Sequence, residues 1–531
     1  MTSLLALVVL LVAGLPLAFA MTRALPLAIV LAPVAGAATS TAAVLLMLAF
    51  RGPLLGWFVP VFLLTGLLAW WWRDRPPVRH GTWRDALLMT VPLIPPFLYL
   101  LQQPLVWDTH LIWWLHAGYF THGGDFARAS IGNPALVFSH PDYPPLASAP
   151  VALVWQVLDL RAFYPAAAVS GALTFSAIAM MVHAVRLVTS GQTRSPRLTP
   201  LSQELKPLSQ GLKPLSQGLT PLSQGLKPLS QGPSARGRAR LRLNGFAARA
   251  RGRARLRLNG FAASAHDVVS WPVAIAVGYA AWSPLWWVPT AGFSDAMCAT
   301  AFTAGAVLLL FGRDPFGGRI LPLALLLLAA SALMKNEGLS MVVALAIVVT
   351  VRHRRHLRHA AWAWLPVAVA GIWSVTARAL GAQTDVLAGG RFGALLHGDR
   401  GTLDRFPLIF STMAGRVGWI MVYALAAAVV GAVFLRHRRR RLGLGADPWL
   451  WAVAALHWSG LTLIYLVTPY DIHWHLSTSV DRVMISITVL SCASAACWAV
   501  VALAPAEDQH PAAPAEAAGP KPDEIKVGTP P

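Results

Sequence analysis

The sequence predicts an all-α, polytopic integral membrane protein, and three observations carry that expectation. The 531 residues are 56% hydrophobic and only 12% charged, whereas soluble domains carry about 25% charge. Apolar stretches of about 20 residues, each enough for one helical crossing, recur from end to end. The arginines sit in blocks between them, a pattern suited to loops facing an anionic inner leaflet. The net charge of +21 therefore does not call for nucleic acid as a partner.

About thirteen spans are expected, near residues 3–21, 25–50, 53–72, 85–102, 162–187, 268–288, 296–311, 320–334, 338–351, 360–380, 409–434, 448–467 and 483–504. The first resembles a signal peptide at Ala18-Phe19-Ala20. It lacks a positively charged start and is followed at once by a second apolar stretch, which favours a retained helix. The runs 296–311, 320–334 and 338–351 are short, as expected of tilted or broken helices. Cys298, Cys492 and Cys497 lie in apolar segments without ligand or disulfide spacing and read as small buried hydrophobes.

Orientation follows the Lys/Arg bias. Arg352–Arg358, Arg436–Arg441 and the loop with Arg73, Arg75, Arg79 and Arg84 fall on one side, taken as cytoplasmic. Loops 103–161, 289–295, 335–337, 381–408 and 468–482 then face outward. The run Leu146–Leu158 is too short to cross and is expected to lie as an interfacial helix on the outer surface. The Trp-rich stretch after Asp108 is expected to be a second one, with its tryptophans anchoring at the headgroups.

The chain divides into N-terminal spans with a basic loop (1–84), a first core helix with outer loop and next helix (85–188), a repeat segment (189–267), the remaining core (268–504) and a tail (505–531). The repeat segment opens with Pro-Leu-Ser-Gln every seven residues from Pro200 to Pro228. A proline in each heptad excludes a coiled coil. An arginine-rich block starting at Arg236 then recurs from Arg251. Low complexity predicts a disordered cytoplasmic loop touching anionic lipid, and a disordered, cytoplasmic C-terminal tail.

Polar groups gathered at one membrane face mark function. The outer loops hold Trp107-Asp108, His140-Pro141-Asp142-Tyr143-Pro144-Pro145-Leu146, Gly292-Phe293-Ser294-Asp295, Lys335-Asn336-Glu337-Gly338 and Ser477-Thr478-Ser479-Val480-Asp481-Arg482, with Arg416 two turns inside a span. In this order the motifs resemble bacterial GT-C glycosyltransferases, the group that includes protein O-mannosyltransferases and the aminoarabinose transferases of lipid A. The resemblance covers roughly residues 85–504 without the repeat segment. It implies a GT-C-like bundle, a polyprenyl-phosphate-linked sugar donor, an acceptor at the outer face (a glycan, lipid or protein), and inversion at the transferred carbon. The usual catalytic Asp of the first outer loop corresponds to Asp108. The familiar second acidic residue is missing, because Thr109 and His110 follow.

Independently of that resemblance, inverting transfer needs one base for the acceptor hydroxyl and positive charge for the departing phosphate. Asp108 supplies the first. Lys335 and Arg482 supply the second, with Arg416 in reserve. Asp142, Tyr143, Asp295, Glu337 and His475 are expected to line the site. Each has a plainer reading: Asp108 and Asp295 as helix caps, Asp142 as a turn former, Lys335 as a snorkelling cation that Glu337 neutralises, Arg482 in a surface pair with Asp481. His473 and His475 flank Trp474, but no other ligands are spaced to complete a metal site. No metal or other cofactor is predicted. Rival functions are a secondary transporter, a ligase or polymerase using a diphosphate carrier, and a noncatalytic scaffold. No half-to-half repeat supports the first, and no large late outer loop supports the second.

Overall fold

The computed structural model describes residues 1–95 apart from 76, 79 and 80; 106–190; 269–281; 292–383 apart from 313–315, 317 and 319; 391–435; and 446–503. The repeats, the tail, Arg436–Arg441, Arg79 and parts of the expected spans 85–102 and 268–288 lie outside the described residues. Among the described residues the regular structure is helical throughout. Among these residues eight helices are long and apolar enough to cross a membrane, and shorter apolar helices accompany them.

The N-terminal helices α1 (Thr2–Thr22), α2 (Leu25–Phe50) and α3 (Leu54–Trp71) match the expected spans closely. α1 and α2 cross where small residues let the backbones touch: a Cβ on Gly14 would run into the Ala32 backbone, and one on Gly36 into Leu10 O at 2.6 Å. α4 (Trp83–Thr90) opens with a capping box between Thr82 and Asp85 and runs into a 3-10 turn at Pro92. Within the first polar loop lie α5 (Leu115–Thr121, entered through a π-helical turn at Thr109–Trp114), α6 (Gly124–Ile131) and α7 (Ala149–Leu158), and after it comes α8 (Phe163–Thr189).

α9 (Val269–Ala280) precedes the polar second half: α10 (Asp295–Phe311), α11 (Leu321–Ala332), α12 (Asn336–Arg352), α13 (Leu357–Ala379), α14 (Phe406–Phe434), α15 (Asp447–Val467), α16 (Ile472–Val483) and α17 (Ile485–Leu503). α2, α8, α10 and α17 form the centre and bury most of their length. α3, α13 and α14 are mostly apolar yet leave residues such as Leu63, Val375 and Phe434 exposed. A face of that kind suits lipid and not water.

Two expectations change here. α7 is short, as predicted, but Ala149–Trp155 are buried among α2, α5 and α8 instead of lying on the outside. Trp113 and Trp114 are likewise buried, so they pack the end of the bundle and do not anchor in headgroups; Trp107 is the exposed one. The apolar run alone could not reveal this, because membrane solvent and protein core reward the same side chains.

Chain direction sorts the loops to two ends. At one end Gly124 N donates to Gly52 O at 2.9 Å, Leu146 N to Leu333 O at 3.1 Å, and Arg405 Nη1 to Thr468 O at 3.3 Å. At the other, Val78 N donates to Thr22 O at 2.8 Å and Arg352 Nη1 to Leu310 O at 2.9 Å. The first end holds the acidic and mixed motifs. The second holds the basic blocks around Arg73 and Arg352–Arg358.

Candidate active site

The polar end is built around the turn between α11 and α12. At 1.5 Å per residue, the 12-residue α11 and 17-residue α12 span about 18 and 26 Å, short of a ~30 Å hydrocarbon core. The turn is set into the bundle, and Lys335 there is only 6% exposed. Gly338 permits this depth, since a Cβ would collide with the Ser331 backbone of α11 and with Cys298 Sγ at 2.7 Å.

The Lys335 ammonium lies 2.8 Å from Asp295 Oδ1 and 3.2 Å from Glu337 Oε1. Burial alone would lower its pKa, but the Asp295 and Glu337 carboxylates outweigh that and hold it well above the usual lysine value. Asp295 is the first residue of α10, and the capping position belongs to Ser294, whose side chain makes no cap bond. Asp295 therefore serves as the partner of Lys335, and the helix N-terminus also favours its charge.

Arg482 reaches the cluster from α16. Asp471 caps that helix by accepting from Trp474 N at 2.9 Å. Ile472, Leu476, Val480 and Val483 bury one stripe, which turns His475, Ser479 and Arg482 onto a neighbouring face at i, i+4 and i+7. Arg482 Nη1 donates to Asp108 Oδ2, and its guanidinium lies 4.4 Å over the Phe293 ring. Asp108 makes no side-chain cap bond; its carboxylate is turned to Arg482. Arg482 Nε and Glu337 Oε2 are buried with no hydrogen-bond partner. Arg482 and Glu337 line a small void together with Asp295, Cys298, Lys335 and His457.

Loop 140–146 packs against this centre. His140 adopts the left-handed conformation at φ 52° and stacks on Tyr143 at 4.7 Å, which stacks in turn on Trp113 at 5.6 Å. Asp142 accepts from Asn336 Nδ2 at 2.9 Å through its carboxylate and from Trp373 Nε1 at 2.8 Å through its carbonyl. Asp142 thus ties the first loop to the Lys335 turn and to α13. Partly buried Tyr143 lies with its ring 5.9 Å from the Lys335 ammonium, and desolvation and the neighbouring Glu337 push its phenol well above the ordinary value. His475 Nδ1 pairs with Thr468 Oγ1 at 2.9 Å, and its ring meets Tyr465 at 5.0 Å; the Tyr465 hydroxyl pairs with Ser479 at 2.8 Å.

The structure thus brings Asp108, Tyr143, Asp295, Lys335, Glu337 and Arg482 to one end, with Asp142 and His475 bracing it. Arg416 is different. It is half exposed and pairs with Asp481 at 2.9 Å, on another face of α16 from Arg482. The plainer reading of Arg482, a surface pair with Asp481, does not hold: the two residues make separate pairs, because adjacent helical residues point about 100° apart. His473 and His475 are about 200° apart on α16, so they do not share a ligand. Among the described residues no three His, Cys, Asp or Glu converge as metal ligands. Asn336, Phe293 and Trp373 were not singled out as site residues. Asn336 adjoins Lys335 and Phe293 lies two residues before Asp295, so both were within the motifs; Trp373, mid-helix in α13, carried no signal.

Fold and composition define a helical membrane protein with a buried charge network at one end. No family model, curated protein or solved structure matches the chain.

Proposed function

We propose that the protein is a membrane glycosyltransferase of the GT-C type, moving a sugar from a polyprenyl-phosphate carrier to an acceptor outside the cytoplasm. In this reading the bundle has about thirteen spans, the polar end is extracytoplasmic, and the basic end with segment 189–267 is cytoplasmic, following the charge rule. The observation that supports it most is the Asp108–Arg482 pair. The two residues are 374 positions apart, yet a carboxylate and a guanidinium meet close to the buried Lys335 ammonium.

The chemistry follows from that pairing. Without substrate Arg482 neutralises Asp108. The carrier's phosphodiester is a better match for the guanidinium fork, whose Nε is unpartnered. When the phosphate takes Arg482, the Asp108 carboxylate is released as a base. The acceptor oxygen attacks the anomeric carbon, its proton passes to Asp108, and the carbon–oxygen bond to phosphate breaks. Polyprenyl phosphate leaves with one more negative charge, which Arg482 holds. Lys335 is already held by two carboxylates, so its part is to fix Asp295 and Glu337 and to add positive potential. Tyr143 and Trp113 supply stacked aromatic surface beside the charge cluster.

The test is a transfer assay with the purified protein and a panel of polyprenyl-monophosphate sugars, with products read by mass spectrometry. Glycosylated acceptor from at least one donor is expected. No transfer from any of them, together with solute uptake in liposomes, would overturn the reading in favour of a transporter.

A further inference from the structure

The basic end carries a feature that the catalytic reading does not use. A cavity of about 710 Å³ opens between α11 and α13, beside the end of α1. Leu321, Leu325 and Ala329 line it along α11, and Trp362, Leu365 and Val369 along α13. Each row repeats at three to four residues, so each presents one helix face. At 1.5 Å per residue the slot follows α11 for about 12 Å, parallel to the helices. Trp362 and Leu365 are about two-fifths exposed, so the slot opens on the flank of the bundle, where lipid lies.

Its mouth is cationic. Arg23 and Arg75 both line it. Arg23 occupies the left-handed cap of α1 at φ 54° and donates to Ala69 O at 3.2 Å and to Arg73 O, while its Nε is buried without a partner. Arg75 is exposed and stacks on Trp72 at 3.8 Å. An apolar slot along the membrane axis, with two guanidiniums at its basic end, matches a chain-bearing anion in charge and shape. We infer that the slot holds one acyl chain of an anionic glycerophospholipid, with its phosphate against Arg23 and Arg75. The bound lipid fills the gap between α1 and the α11–α13 pair and is independent of the proposed sugar transfer.

Native mass spectrometry of the full chain in detergent, titrated with phosphatidylglycerol, phosphatidylcholine or inorganic phosphate, tests this. One phosphatidylglycerol per chain is expected, favoured over phosphatidylcholine by at least about fivefold, roughly the contribution of one arginine near an anionic headgroup. Inorganic phosphate should not compete. Arg75→Gln, at an exposed side chain, should remove most of the headgroup preference, and Ala329→Trp should abolish retention by filling the slot. If Ala329→Trp fails to fold, Leu365→Trp on the more exposed wall serves instead. Equal retention of the two lipids by the wild type, displacement by inorganic phosphate, or undiminished retention in the filled variants would overturn the inference.

Discussion

Two sets of cations at opposite ends of the bundle are held in different ways. At the polar end Lys335 is buried between the Asp295 and Glu337 carboxylates, and Arg482, largely but not fully covered, is matched to Asp108. At the basic end Arg73 and Arg75 are largely exposed and rest on tryptophan rings. Solvated cations cost little to keep, and their natural work is topology and lipid attraction. Buried ones are costly unless paired. In the proposed reading, the two pairs kept where helices break off hold charge for chemistry and not for stability.

That contrast can be broken by mutation. Arg482→Met should cut transfer about 10²–10³-fold, the loss typical of removing one group that stabilises developing charge, with the melting temperature as the control for folding. Lys335→Met should act chiefly on stability, because it leaves Asp295 and Glu337 facing each other in a buried turn. Orphaning a buried charge in this way costs about 3–5 kcal/mol, read in thermal denaturation. Asp142→Ala loses the Asn336 tether, a charged hydrogen bond of about 1.5–3 kcal/mol, and should raise the donor KM more than it lowers kcat. Arg416→Gln breaks a half-exposed pair of about 0–1 kcal/mol, so activity and stability should change by less than about fivefold.

Acidification separates the groups further. Burial, reinforced by the charge of His140, lowers the pKa of His116 to about 3. Its folded value lies below its unfolded 6.5, so the unfolded chain takes up the proton first. Stability that is full above pH 6.5 should be lost as pH falls toward 3, and His116→Gln should move the acid unfolding midpoint downward. Lys335 has the reverse sign. Its raised folded value keeps its contribution intact below the unfolded 10.5, so no inflection near neutrality should trace to it.

Much of this was legible from the chain. Helices α1–α3 and α13–α15 follow the hydropathy pattern closely, because a bilayer demands about 20 apolar residues in a row. The cluster was legible too, since Asp108, Asp295, Lys335 and Arg482 interrupt or end apolar runs where a charge needs a reason. The pairings were not. Which carboxylate meets which cation depends on the rotation of α16, and a one-residue difference there sends Asp481 to Arg416 and Arg482 to Asp108. The inward packing of Trp113, Trp114 and α7 escaped for a different reason: core and lipid select the same residues.

The central claim is that Asp108 takes the acceptor proton once the carrier phosphate has drawn Arg482 away. Turnover of Asp108→Asn, measured beside wild type with the best polyprenyl-phosphate donor, addresses it most directly. The account predicts a fall in kcat of about 10²–10⁴-fold with donor affinity kept or improved, because a neutral amide competes less for the guanidinium. Turnover equal to wild type in a folded Asp108→Asn protein would contradict it.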